Sequence, residues 1–181
     1  QGNAFTCEPV NNLVQRQILS PDGVSFKSRR AEDELDREFL ASIDPWFRPV
    51  QVRTGPDGAL WVVDMYRYVI EHPMWIPPDT LAKLDPRAGS TMGRIYRIAP
   101  DGKVARKPLR IDQLQGEQLA AAMDSANGTT RDLVQQQILW NNNTAAISML
   151  KKIAAGSVHP EVRIQALSTW ANLESPTVDA L

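Results

Sequence analysis

The chain has 181 residues, 43% hydrophobic and 23% charged, enough for one or two packed cores. A net charge of −1 argues against the basic face or stripe that nucleic-acid binding normally shows, so no nucleic-acid partner is expected. No apolar run approaches the ~20 residues of a membrane span, and the single cysteine, Cys7, excludes an intrachain disulfide and any paired-cysteine metal or redox motif.

Neither an initiator Met nor a charged-then-apolar leader opens the chain, so Gln1 reads as a start left by leader removal or as part of a longer protein. Residues 2–8 and 12–19 have strand composition, with Pro9 and an Asn pair between them, and Cys7 reads as a buried thiol in the first. Asn3, Glu8, Asn11 and Asn12 are turn-prone polar groups. Ser20-Pro21-Asp22-Gly23 then turns the chain into a strand over 24–29. The charged run 30–37, RAEDELDR, reads as a solvated excursion that opens a short helix through Phe39 and Leu40, with Asp33 as its cap.

Residues 44–73 are the most informative stretch. Two apolar runs, 50–52 and 60–63, flank Gly55-Pro56-Asp57-Gly58, where Pro presets φ and Gly accepts a positive one, so a hairpin is expected. Asp64, Tyr66, Arg67, Glu71 and His72 follow the second strand, a density of titratable groups that marks the place for chemistry. Residues 74–92 are too rich in Pro and Gly to sustain a helix or a central strand, so a long loop is expected. A strand over 93–99 follows, and a last one through Ala105. Pro-Asp-Gly recurs at Pro21, Pro56 and Pro100, each time between strand-like runs, a loose period that suggests propeller blades.

Near Leu109 the composition turns to Ala, Gln and Leu at helical spacing. Helices are expected over 112–124, 129–140, 144–155 and 160–173, separated by Asn127-Gly128, the triple Asn141–Asn143 and Gly156. Ile147, Leu150, Ile153 and Ala154 form one stripe; Val162, Ala166, Leu167, Trp170 and Leu173 form another. Arg131 and Arg163 hold similar places in the second helix of each pair, the pattern of stacked helical hairpins. Ser175-Pro176 opens another such unit, so the natural chain is expected to continue beyond Leu181. The fold class is therefore mixed, β then α: propeller-like blades over residues 1–108, and an incomplete HEAT-like α-solenoid over 109–181.

The stretches GNAFTCEPVNNLV, FLASIDPWFRPVQVRTGPDGALWVVDMYRYVIEHP and GRIYRI resemble a family of large secreted proteins, abundant in planctomycetes, labelled membrane-bound dehydrogenases or haem-binding proteins. That resemblance implies a β-propeller similar to sorbosone and quinoprotein glucose dehydrogenases, of which residues 1–108 are the C-terminal portion, then HEAT-like repeats, then a c-type haem on another domain. It implies a periplasmic or secreted protein whose partners are the remaining blades and C-terminal domains. This chain has no Cys-x-x-Cys-His, and its two histidines are His72 and His159, so haem attachment is not expected on it.

On such a scaffold His72 is the candidate base, with Asp64 or Glu71 orienting it. Arg48, Arg67 and Arg94 are candidates to hold the carboxylates of a quinone (PQQ) or of an acidic sugar, and Asp64 with Glu71 to hold Ca²⁺. Trp46, Trp61, Trp75 and Tyr66 offer faces for a sugar substrate or for core packing. Each has a structural alternative: Asp64 capping the next turn, Arg67 and Glu71 as an i,i+4 ion pair, His72 shaping the loop. Two functions follow: a segment of a secreted sugar or alcohol dehydrogenase passing electrons to a haem elsewhere, or a non-catalytic module recognising a glycan or a protein, with a protein partner on the helical repeats.

Overall fold

The computed structural model describes residues 2–102 and 106–174. Antiparallel sheets form the N-terminal part and helices the C-terminal part. The chain divides into two units, Gln1–Arg53 with Leu60–Pro100, and Thr54–Ala59 with Asp101–Leu181. The expected strand through Ala105 and the unit opened by Ser175-Pro176 lie outside the described residues.

In the first unit, β1 (Asn3–Glu8) pairs with β2 (Leu13–Asp22), which pairs with β3 (Ser25–Arg30) and with the short β4 (Leu40–Ala41). Leu13 and Val14 face β1 on one side and β4 on the other, so β3 and β4 share one edge of β2 and the sheet is three strands wide. Pro21 and Asp22 stay in β2, opposite Phe26 and Ser25, and the reversal falls on Gly23 and Val24 rather than on 20–23.

The helix expected from the charged run does not form; a single 3-10 turn, Glu32–Glu34, stands there with Ala31 before it. Arg30 explains the difference, because its guanidinium takes the carbonyls of Glu34 and Arg37 that a helical ladder would use, and pairs with Glu38. Nor is the run a solvated face throughout, since Glu34 is buried against Arg16 at 3.0 Å. The chain then returns to the sheet edge at Leu40.

The second sheet has β6 (Leu60–Asp64) between β5 (Pro49–Thr54) and β7 (Arg94–Ile98). Val62 stands opposite Tyr96 and Asp64 opposite Arg94, so these four side chains share one face, where Phe47 meets Tyr96 edge-on. Between β6 and β7 lie a 3-10 turn, Pro73–Trp75, and one helical turn, α1 (Pro78–Leu81). Each carries Pro in its first turn, where the missing N–H costs nothing.

In the second unit, α2 (Gly116–Ala121), α3 (Gly128–Trp140), α4 (Ile147–Gly156) and α5 (Pro160–Leu173) close around one apolar cluster that includes Leu119, Met123, Val134, Ile138, Leu150 and Trp170. The first and third begin later than expected, each after a separate 3-10 turn, Ile111–Gln113 and Thr144–Ala146. Helix α2 packs on α3 and α4, and α5 on α3 and α4. Thr130, Val134 and Ile138 of α3 are buried, as are Val162, Ala166 and Trp170 at the matching places of α5. Among the described residues no helix is long and apolar enough to cross a membrane.

Candidate functional site

Asp64 ends the central strand of the second sheet with its side chain fully buried. Its Oδ1 accepts the backbone N–H of Arg48 and of Tyr66, each at 2.8 Å. Its Oδ2 is buried with no hydrogen-bond partner, and Arg94 Nε stands 3.8 Å away across the β6–β7 register. The Arg94 guanidinium lies 3.6 Å over the Tyr66 ring, a cation–π contact on a half-exposed side chain.

Tyr66 carries the strain of this turn. Its φ of 50° is left-handed, a conformation that a bulky side chain adopts only when its surroundings impose it. Asp64 holds its N–H, its phenol O–H donates to Asp44 Oδ2 at 3.1 Å, and its ring packs on Trp46. The bond to the Asp44 carboxylate, then desolvation, raise the phenol above its ordinary value, with Arg94 opposing. Gly89 closes the turn from outside at a φ of 85°; a Cβ there would collide with the Tyr66 carbonyl.

Arg48 bonds four carbonyls: Nε to Arg67 at 2.9 Å, Nη1 to Pro9 at 2.7 Å and Val10 at 3.2 Å, and Nη2 to Tyr68 at 3.0 Å. It thus ties the β1–β2 turn to the loop after β6. Arg67 Nη1 donates to the Arg87 carbonyl. Residues 65–72 are irregular, not helical, so the i,i+4 geometry expected for Arg67 and Glu71 is not built. Exposed Glu71 accepts the N–H of its neighbour Ile70. Exposed His72 caps the Pro73–Trp75 turn, its Nδ1 accepting the Met74 N–H at 3.2 Å.

The fold therefore brings Asp64, Arg94 and the Arg48 backbone together, with Tyr66, while His72 and Glu71 make their hydrogen bonds elsewhere. Trp46 packs on Tyr66 and Tyr68, and Trp75 is 78% exposed. Cys7 lies in β1 with its thiol raised by partial burial. His159 precedes α5 and makes no capping bond with its side chain. Sequence reading missed Asp44 and Gly89, although Asp44 carries a signal: Asp-Pro-Trp is an Asx turn, with Oδ1 accepting the Trp46 N–H.

Two of the expected donors are poorly placed for a quinone or Ca²⁺. Arg48 has its fork committed to backbone carbonyls, and the free oxygen of Asp64 faces a guanidinium, which repels a divalent cation. The profile of a family described as a domain of unknown function, DUF7133, matches residues 1–102. No curated protein and no solved structure matches the chain.

Proposed function

The chain belongs to the DUF7133 family, a domain of unknown function, and on that premise we propose that it is a non-catalytic binding and assembly module, propeller blades followed by HEAT-like repeats. The carrying observation is Arg48, whose guanidinium gives four of its five N–H groups to backbone carbonyls and keeps one, too few for a two-point grip on a carboxylate. Arg67 and His72 are likewise bonded to the backbone, as an architectural loop requires. Two three-strand-wide antiparallel sheets with exposed apolar side chains, among them Phe26, Ile95 and Trp61, support the blade reading, since such faces want further sheets against them. The matched burial in α3 and α5 supports the repeat reading.

One observation favours the second reading, a segment of a secreted, periplasmic sugar or alcohol dehydrogenase with its haem on another domain: the buried Asp64 Oδ2, which accepts no hydrogen bond and has Arg94 at 3.8 Å as its ionic neighbour, beside the strained Tyr66. Dye reduction by the full chain with a panel of aldoses and polyols separates the two. The module reading predicts no turnover, with or without added quinone and Ca²⁺. Turnover that His72→Ala or Asp64→Asn abolishes would overturn it.

A further inference from the structure

Four places in the chain set an Asp or Asn directly before a glycine: Asp22-Gly23, Asp57-Gly58, Asp101-Gly102 and Asn127-Gly128. At each, the glycine amide nitrogen can close on the preceding side-chain carbonyl carbon to make a five-membered imide, and glycine carries no side chain to crowd the ring. What separates the four is where the fold holds the side chain, because ring closure needs a near-attack contact of about 3–3.5 Å.

Asn127, by sequence the most labile of the four, is withdrawn from its own glycine. Its Oδ1 accepts the Thr129 N–H at 3.0 Å, its Nδ2 donates to the Gly55 carbonyl at 2.9 Å, and Gly128 is the first residue of α3. Asp57 Oδ1 accepts the Ala59 N–H at 3.1 Å, two residues on. Asp22 stays in β2 opposite Ser25, with its Oδ2 3.1 Å from Lys27 Nζ. Asp101 differs: its Oδ1 accepts the N–H of Gly102 itself, at 2.9 Å. Both residues are exposed, Gly102 has a φ of 69°, and nothing stands within 4 Å of where its Cβ would be. Gly23 and Gly58 have the same room, so the direction of the carboxylate is what sets Asp101 apart.

We infer that Asp101-Gly102 is a self-modification site, converting to isoaspartate through a cyclic imide. The Gly102 nitrogen bonds to Asp101 Cγ, the Cγ–OH bond breaks, and the hydroxyl leaves with the amide proton as water. Water then opens the ring at either carbonyl. Opening at Cγ restores aspartate; opening at the main-chain carbonyl leaves a backbone that runs through Cβ and Cγ and frees an α-carboxylate. Nothing is oxidised or reduced, and water is the one co-reactant. That α-carboxylate is the class of group that isoaspartyl carboxyl methyltransferases accept as substrate. The extra backbone methylene falls where the chain passes from the first unit into the second, since Pro100 belongs to one and Asp101 to the other.

The inference stands apart from both readings of function. To test it, the full chain is aged for several weeks at mildly acidic pH, beside a sample kept in urea. Both are digested and mapped by mass spectrometry with electron-transfer fragmentation, and isoaspartate is scored again by methyl acceptance from S-adenosylmethionine. The native chain is expected to carry about fivefold or more isoaspartate at position 101 than at 22, 57 or 127. In urea, where the folded contacts are gone, Asn127 is expected to lead instead. Asp101→Glu, which can close only a larger ring, is expected to abolish both signals from that peptide. A native signal at 101 no larger than at the other three positions, the same ranking with and without urea, or methyl acceptance by that peptide that survives Asp101→Glu would each overturn the proposal.

Discussion

Arg48 shows how a side chain suited to ligand recognition can serve the backbone instead. Five donors in a rigid plane reach carbonyls on both sides of the guanidinium, and lysine has neither the number nor the geometry to replace them. Arg48→Lys is therefore expected to destabilise the chain by about 3 kcal/mol, nearly as much as Arg48→Met, read from denaturant midpoints at constant slope. A loss below about 0.5 kcal/mol would show that these carbonyls find water just as well. This role was not legible in the sequence, because Pro9, Val10, Arg67 and Tyr68 are joined only by the fold. Asp64 was more legible, since an acid at the end of an apolar strand stands out. That its second oxygen faces Arg94 without accepting a hydrogen bond depends on the register with β7, which no local pattern records.

At the scale of elements, legibility follows period. Residues 60–63 are legible as a strand from a short apolar run beside a Pro-Asp-Gly turn, without showing which face is buried, whereas Val162, Ala166 and Trp170 recur at helical spacing that marks the buried face. The two-residue β4 has no period to read, and the charged run beside it was misread as a helix because its carbonyls are taken by Arg30, far from any pattern of hydrophobicity. The triple Asn141–Asn143 reads as a breaker; that it also walls a cleft is a property of the turn's place among the helices. Between α4 and α5, Lys151 lies over the Trp170 ring and bonds Glu174, which also accepts the indole N–H. That indole bond first, and Lys151 second, hold the Glu174 carboxyl below its usual value. A lowered folded value stabilises the native state above the unfolded glutamate range, and the benefit fades as pH falls through the folded value. Wild type should therefore exceed Glu174→Gln in urea midpoint at pH 7 and match it by about pH 3. An equal gap at both pH values would remove the ionised carboxylate from the account.

For the whole molecule, the two units bury apolar surface very differently. In the second unit a continuous cluster runs from Leu119 to Trp170 and draws on all four major helices. Among the described residues of the first unit, the buried apolar side chains are few: Val14, Ala31, Phe47, Pro49 and Val62. The first unit is held instead by directional polar contacts, Arg48 on four carbonyls, Arg16 between Asp33 and Glu34, Asp64 under the Tyr66 turn. Arg48 apart, such contacts fix geometry but contribute little net free energy apiece compared with apolar burial, so opening should require less free energy in the sheets than in the helices. Native-state hydrogen exchange on the full chain tests this peptide by peptide. Amides of α3, α4 and α5 are expected to exchange about tenfold or more slowly than those of β1–β3 and β5–β7. Sheets protected as strongly as the helices would mean that their exposed apolar faces are covered in solution, for instance by a second copy of the chain. Repeating the exchange at a lower protein concentration separates that case, since protection borrowed from a second copy falls on dilution and protection within one chain does not.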